Sequence, residues 1–313
     1  MDDPAITSIT HQQGVSVVIP CYNYARFLKQ AVDSVLAQDY STFEVIVMDD
    51  GSKDETPEVA EALGDKIKYI RQENQGLSAT RNNGIQVCQY DYIAFLDADD
   101  EWDKDYLSIM MDKFFSLSGD YGLIACLDKK IGADGSPIVD RVHKSKLGEI
   151  CTEDLILKNR FFPGGAIVKK HVFDVVGNFD TNLKSSEDRD MWIRLSSKYK
   201  IWLIGDRLIR IRKHGDNMSA NPVRMRENKL AVLNKAIGSG IVHKGSRVVR
   251  QSLALIYYQV SWIFYNQLNK KDALSSIWNS IMHYPSYMNN SDLDVPLFFR
   301  IRAFARFLLM PKG

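Results

Sequence analysis

The sequence has no apolar run approaching the roughly 18 residues that a transmembrane helix needs. It also lacks a charge of one sign. Lys and Arg number 40 against 39 Asp and Glu, a net charge of +1, so no overall field draws it to nucleic acid, which is not expected as a partner. Cysteine is scarce: the 4 residues Cys21, Cys88, Cys126 and Cys151 are widely spread and form no Cys-x-x-Cys pair. That pattern fits reduced thiols in a cytosol and argues against a zinc site. The opening "MDDPAITSITHQQG" is acidic and polar, unlike a secretory signal, and a cytoplasmic location is expected. Internal repeats and low-complexity tracts are missing too. So is a glycine-rich phosphate loop. "PCYNYARFL", which follows the first apolar run, holds neither Gly-x-Gly-x-x-Gly nor Gly-x-x-x-x-Gly-Lys. Oxidoreductase and NTPase readings lose their main support, and a sugar nucleotidyltransferase, which would also place a Gly-rich loop there, is weakened.

What is there is an alternation of strand and helix. "VSVVIP" (15–20) is continuously apolar, as a strand covered on both faces should be. In "ARFLKQAVDSVLAQ" the residues Phe27, Leu28, Ala31, Val32, Val35 and Leu36 recur at helical spacing and predict one greasy face. "FEVIVM" predicts a second strand. "DDGSKDETPEVAEAL" predicts a turn and a helix, with Asp54 as cap and Pro57 in the first turn. "KIKYIR", "YIAFL" and "LIACL" read as further strands, and "LSATRNNGIQVC" and "YLSIMMDKFFSL" as the helices between them. Beyond residue 128, "KKIGADGSPIV" predicts a hairpin turning at Asp134-Gly135. "FFPGGAIVKK" predicts a flexible turn into a short strand, "SEDRDMWIRLSSKY" a helix with acids in its first turn, and "KIWLIG" and "LIRIRKH" two strands. After about residue 220 the pattern is all helix.

Alternation of this kind predicts an α/β fold with a mainly parallel sheet flanked by helices. Such sheets bind ligands beyond the carboxyl ends of their strands. Those ends carry the unusual residues: Pro20-Cys21-Tyr22-Asn23, Asp49-Asp50-Gly51-Ser52 and, in "IAFLDADDEW", Asp97-Ala98-Asp99. Asp97, Asp99, Asp100, Glu101, Asp103 and Asp105 crowd into nine positions, and like charges this close repel strongly in a partly dry site. A helix N-terminus accounts for Asp103 and Asp105. An EF-hand loop is excluded, since its required Gly and Glu positions hold Trp102 and Ser108. Asp97 and Asp99, at the strand end, suit a hard divalent cation completed by substrate phosphates. Asp49 and Asp50 are natural acceptors for ribose hydroxyls or a base N–H.

These blocks resemble family 2 glycosyltransferases of the GT-A fold. "VSVVIPCYNYARFLKQAVDSVLAQDYSTFEVIVMDDGSKDET" resembles the family's opening and "QGLSATRNNGI" its next block. "YIAFLDADD" resembles its Asp-x-Asp (DXD) motif, "SEDRDMWIRL" its later Glu-Asp helix, and "IRIRKHGDNMS" its terminal His block. The match spans roughly 14–220. It implies an N-terminal tail (1–13) and a Rossmann-like GT-A domain (14–220), with a nucleotide-sugar-binding half (14–127) and an acceptor-binding half (128–220). A helical C-terminal region (221–313) lies outside the shared core. The resemblance further implies a metal-dependent, inverting hexosyl- or N-acetylhexosaminyltransferase that uses a nucleotide diphosphate sugar, most often a UDP-sugar, with Mn²⁺ or Mg²⁺. The acceptor would be a glycan or lipid-linked saccharide hydroxyl, as in bacterial surface polysaccharide synthesis. By position, Pro20, Asn23 and Asp50 would line the nucleotide pocket, while Asp49 is more a structural residue. Arg81 would approach the donor's phosphates or nucleotide. Asp97 would contact the ribose or a metal-bound water, Asp99 would ligate the metal, and His214 would contact the metal or the diphosphate. Asp188 would be the general base. Glu187 would support it or touch the acceptor, with Trp192, Gly164 and Gly165 on the acceptor side.

Each assignment has a structural counterpart: Asp188 as a first-turn helix acid, His214 as a surface histidine, Arg81 as an ion-pair partner, Trp192 as core, Gly164-Gly165 as a plain turn. At the level of the whole chain the alternatives are a non-catalytic nucleotide-sugar-binding module and the nucleotidyltransferase. In "LFFRIRAFARFLLMPKG", Phe298, Phe299, Ile301, Phe304, Phe307 and Leu308 stand beside Arg300, Arg302 and Arg306. That helix either packs on the protein or lies at an anionic membrane surface, on the cytoplasmic face.

Overall fold

The computed structural model describes residues 13–139, 145–183, 185–214, 222–286, 288 and 298–310. The expected N-terminal tail lies outside them, apart from residue 13. β1 (Val15–Cys21) is buried at every position. It pairs in parallel with β2 (Phe43–Asp49) on one side and β4 (Tyr92–Phe95) on the other, and β3 (Lys68–Arg71) lies outside β2. The chain therefore runs outward from β1 to β3 and then returns to β1's other edge. That reversal opens a crevice past the carboxyl ends of β1 and β4. The sheet continues through β9 (Ala166–Lys169), β6 (Tyr121–Ile131), β10 (Lys200–Arg212) and β5 (Glu101–Trp102). β7 (Pro137–Ile138) forms the expected hairpin with β6 around Gly135, and β8 (Gly148–Ile150) pairs with β10.

Successive side chains of a strand face opposite ways, and β1 shows it. Val15, Val17 and Ile19 enter one core with Leu28, Val32 and Val35 of α1 (Ala25–Leu36), beside α2 (Thr56–Leu63) and α4 (Tyr106–Phe115). Val18 enters the other, beside α3 (Leu77–Val87), α5 (Thr152–Leu157), α6 (His171–Val176) and α7 (Glu187–Ser196).

The expected pair of strands over "KIWLIG" and "LIRIRKH" is one strand, β10. Gly205 and Asp206 do not turn the chain but throw it out of register with β6, between Leu203 and Arg207. The C-terminal region is helical: α8 (Pro222–Gly238), α9 (Arg247–Asn266), α10 (Lys270–His283) and α11 (Phe299–Leu308). α8 and α9 are not a loose appendage. Val232, Leu233, Ala236, Val249 and Ile256 belong to the second core. Lys235 bridges Asp180 (2.7 Å) and Asp190 (3.0 Å), and Ser252 Oγ donates to the carbonyl of Ile156 at 2.6 Å.

Candidate functional site

The crevice is a pocket of about 630 Å³, lined among others by Pro20, Tyr22, Asn23, Asp50, Asp97 and Asp99. Asn23 adopts φ 58°, a left-handed conformation that Asn tolerates. Its backbone N–H donates to Ser52 Oγ (2.9 Å) and its Oδ1 accepts from Lys53 N–H (2.7 Å), tying the β1 and β2 loops together. Asp49 is fully buried and accepts from Ser52 N–H (2.8 Å) and the Tyr69 hydroxyl (2.5 Å). Its role is structural. Asp50, 3% exposed, accepts from Gln72 Nε2, Gln75 N–H and Gly76 N–H, each at 2.8 Å. It thereby shapes the loop before α3, and about one of a carboxylate's four lone-pair positions is left for a ligand.

The acidic cluster is held by partners drawn from elsewhere in the chain. Asp97 pairs with Arg81 (2.8 Å). Asp99 Oδ2 meets His214 Nε2 at 2.9 Å. Asp100 accepts from Arg212 N–H (2.9 Å), Glu101 pairs with the Arg212 guanidinium, and Asp103 pairs with Arg210 (2.8 Å) and Lys129. Arg210, Arg212 and His214 stand two residues apart at the end of β10 and just past it. Period-2 spacing turns that end of the chain into a basic rail alongside the acids. Compensation is incomplete: burial and the neighbouring Asp97 still raise the proton affinity of Asp99, and burial and Asp99 raise that of Asp100. A divalent cation fits this corner. Among the described residues no three His, Cys, Asp or Glu side chains converge as a metal site, so such an ion would take few protein ligands and complete its shell with phosphate oxygens. Residues 215–219 of the His block lie outside the described residues.

Arg81 does not face the pocket. It is 1% exposed, and its guanidinium is shared between Asp97 and Glu187 (2.7 Å), over the Phe179 ring. The expected phosphate contact is corrected: two carboxylates already hold its fork. Glu187 is likewise buried against Arg81, which favours its supporting role over acceptor contact. The Asp97–Arg81–Glu187 chain ties the end of β4 to the start of α7, where Asp188 stands. The residue before α7, Ser186, has φ 64°, a conformation costing roughly 1–3 kcal/mol and common at functional sites.

Asp188 is half-buried. Its Oδ2 accepts from Asn159 Nδ2 and its Oδ1 from Arg189 N–H, both at 2.7 Å. Burial and, second, the adjacent Glu187 push its pKa up to about 6, near the optimum for a base at neutral pH. It lines a second pocket, of about 500 Å³, with Asn159, Phe162, Ser185 and Ser186. Phe162 is 45% exposed there and supplies the aromatic surface that the sequence had assigned to Trp192. Trp192 is 0% exposed, packed between Phe161 and Phe179, and has no face for a sugar. Gly164 and Gly165 are also buried. A Cβ on Gly164 would stand 2.4 Å from Ile209 Cδ1, and the Gly164 carbonyl accepts from Trp102 Nε1 at 2.7 Å. Their smallness serves packing under the sheet, not acceptor approach. Asn159 and Phe162 were not singled out in the sequence; only their position on a loop past a helix end marks them.

The family model described as Glycosyl transferase family 2 matches residues 16–132. An uncharacterized glycosyltransferase of Rickettsia prowazekii is 30% identical over 204 residues, 64% of this chain and 64% of its own length. The putative teichuronic acid biosynthesis glycosyltransferase TuaG of Bacillus subtilis is 32% identical over 195 residues, 59% of this chain and 72% of its own length. Among solved structures, S. aureus TarS in complex with UDP-GlcNAc superposes with a TM-score of 0.57 at 18% identity, covering 87% of this chain and 89% of that one. The mannosyltransferase PcManGT from Pyrobaculum calidifontis, in complex with GDP-Man and Mn²⁺, gives 0.61 at 16% identity, covering 96% and 86%. The fold is that of GT-A glycosyltransferases.

Proposed function

Because this chain belongs to glycosyl transferase family 2, we propose that it moves a sugar, with inversion, from a nucleotide diphosphate sugar to an acceptor hydroxyl. One observation carries the reading. A half-buried carboxylate with a pKa near 6 lines one pocket, and an ion-pair chain couples it to the acidic wall of another. The nucleotide would sit against Pro20, Asn23 and Asp50, with Tyr22 at the mouth. The acceptor oxygen attacks the anomeric carbon and forms the new C–O bond while Asp188 takes its proton. The bond from that carbon to the diphosphate breaks, and the nucleoside diphosphate leaves. Asn159 orients the Asp188 carboxylate, and Arg81 with Glu187 fixes the turn that presents it. A divalent ion, Mn²⁺ or Mg²⁺, held by Asp99 with Asp97 and His214 around it, would neutralise charge on the departing diphosphate.

A UDP-sugar is the proposed donor, supported by the TarS complex with UDP-GlcNAc; PcManGT holds GDP-Man. A role in bacterial surface polysaccharide synthesis follows the name of TuaG. Among the described residues no helix is long and apolar enough to cross a membrane. Contact with a membrane surface through the last two helices is proposed from Trp278, Met282, Ile301 and Leu308, which are 53%, 61%, 59% and 52% exposed. Arg300, one of the three arginines of the last helix, is buried and donates to the carbonyls of Ser280, Tyr284 and Ser286, closing the end of α10, so it takes the packed alternative.

The test is a thermal melt of the full chain with UDP, GDP, dTDP or CDP, each with Mn²⁺, Mg²⁺ or EDTA, beside Asp99→Asn. Ligand at a hundred times its dissociation constant adds ~2.7 kcal/mol to the native state. A nucleotide shift that needs metal and vanishes in Asp99→Asn supports the reading. A folded wild-type protein that responds to none of them removes it.

A further inference from the structure

The pocket beside Asp188 carries more positive charge than its chemistry as a plain hydroxyl site requires. Lys158, Arg189, Lys213, Arg224 and Lys229 line it, against Asp188 as the one carboxylate among the described residues. Among the described residues, Lys158, Arg189, Lys213 and Lys229 form no ion pair. Arg189 is 7% exposed and fixed, donating to the carbonyls of Leu155 (2.9 Å) and Ile156 at the end of α5. That bond pattern explains Arg189 as a helix C-terminal cap. It does not explain Lys229, which α8 delivers from the other side. Its Nζ donates to Gln259 Oε1 of α9 at 2.6 Å, so the ammonium is held in place by a neutral partner. Burial, and then the nearby Arg189, lower its pKa to about 8. Arg189 has the neighbouring Asp188 as its only carboxylate in the lining and Lys229 has a neutral partner, so positive charge is in excess in this pocket and an anionic ligand would relieve it. Leu157, Phe162, Leu255 and Ile256 add an apolar wall.

We propose, resting on the glycosyltransferase reading, that the acceptor bears a phosphate beside its reactive hydroxyl, with Lys229 and Lys213 holding the phosphate and Asp188 facing the hydroxyl. The phosphate belongs either to a polyol or sugar phosphate or to a lipid-linked phosphate whose chain lies along the apolar wall. Lys229 comes from the helical C-terminal region, so that region selects the acceptor as well as packing on the sheet.

The experiment titrates the full chain, with its donor pocket saturated by UDP and Mn²⁺, against glycerol 3-phosphate, octyl phosphate and neutral glycerol, following affinity by calorimetry. Both phosphates should bind at least about tenfold tighter than glycerol, and Lys229→Gln should lose about tenfold, the scale of one charge-assisted hydrogen bond. Lys213→Gln, at an exposed position, gives the same readout if Lys229→Gln does not fold. Tighter octyl phosphate identifies a lipid-linked source and tighter glycerol 3-phosphate a soluble one; either upholds the phosphate. Glycerol binding as tightly as the phosphates overturns the inference, as does phosphate affinity that survives both substitutions. UDP affinity, titrated separately, should stay within about twofold in both variants. An equal loss of UDP affinity would assign these lysines to the donor diphosphate and also overturn it. Wild-type protein that binds no donor nucleotide fails the transferase reading itself, whereas protein that binds UDP and neither phosphate fails only this inference.

Discussion

Replacing Asp188 by Asn should cost activity and add stability, and the two effects have one origin. The Asp188 pKa rises from its usual 3.8 to about 6 in the folded chain. Folded protein therefore binds more protons than unfolded protein between those values. Stability falls as pH rises through that window and stays low above it. At ~1.36 kcal/mol for each tenfold change in proton affinity, the carboxylate costs the native state up to about 3 kcal/mol at neutral pH. Asn removes the charge but holds one carbonyl where the carboxylate has two oxygens. It can accept from Asn159 or from Arg189 N–H, not both, which returns about 1 kcal/mol. The net gain is about 1–2 kcal/mol, a midpoint rise of roughly 1.5–3 °C at pH 7.5, which shrinks toward pH 4. Loss of a general base should lower the turnover number by about 10²–10⁴-fold. The assay is release of nucleoside diphosphate from the donor that the melts identify, with wild-type activity climbing through pH 6 and levelling above it. If Asp188→Asn keeps more than a tenth of the activity, Asp188 is not the base. If it melts lower than wild type at pH 7.5, the account of its burial is wrong.

Arg81→Met leaves Asp97 and Glu187 without their shared cation. It should destabilise by about 3–5 kcal/mol in chemical denaturation, and Arg81→Lys should recover little because an ammonium cannot fork between two carboxylates; a loss below about 1 kcal/mol contradicts the bridge. Gly164→Ala should cost about 1–3 kcal/mol by overpacking against Ile209, with Ile209→Val in the same chain recovering much of it. A rise in acceptor KM without loss of stability would instead return Gly164 to the acceptor site. Ile301→Asp with Leu308→Asp should abolish sedimentation with anionic vesicles while leaving the melting midpoint within about 2 °C, since both side chains are exposed. Unchanged sedimentation removes the membrane proposal.

The parallel half of the sheet, β3-β2-β1-β4, and its crevice were legible in the sequence, because continuous apolar strands and one-faced helices are local patterns and the strand ends mark the site; the antiparallel insertion of β9 between β4 and β6 was not. What pairs with what was not legible. Arg81 reads as a phosphate ligand until α7, 106 positions later, brings Glu187 to it. Trp192 sits four residues after Asp188, on the same face of α7, so helical spacing puts both at the pocket. Each turn of α7 goes deeper, however, and the second turn is already in the core. Gly205 reads as the end of a strand, yet β6 supplies a long parallel edge on which a bulge suffices. Phe162 and Lys229 carry no motif, and their importance comes from α9 closing the pocket over them.

The basic rail of β10 has a consequence for how the chain comes into being. Asp99, Asp100 and Asp103 find their partners on His214, Arg212 and Arg210, which lie 115, 112 and 107 positions downstream. At roughly 5–20 residues per second of synthesis, the acidic crevice is complete in sequence, with Arg81 already beside it and Lys129 soon after, about 5–20 s before its β10 partners leave the ribosome. Over that interval Asp99 and Asp100 repel one another without their β10 partners. The stretch matched by the family model, 16–132, ends before every residue of that rail, and a chain terminated there should be cleaved by proteases faster than the full-length protein.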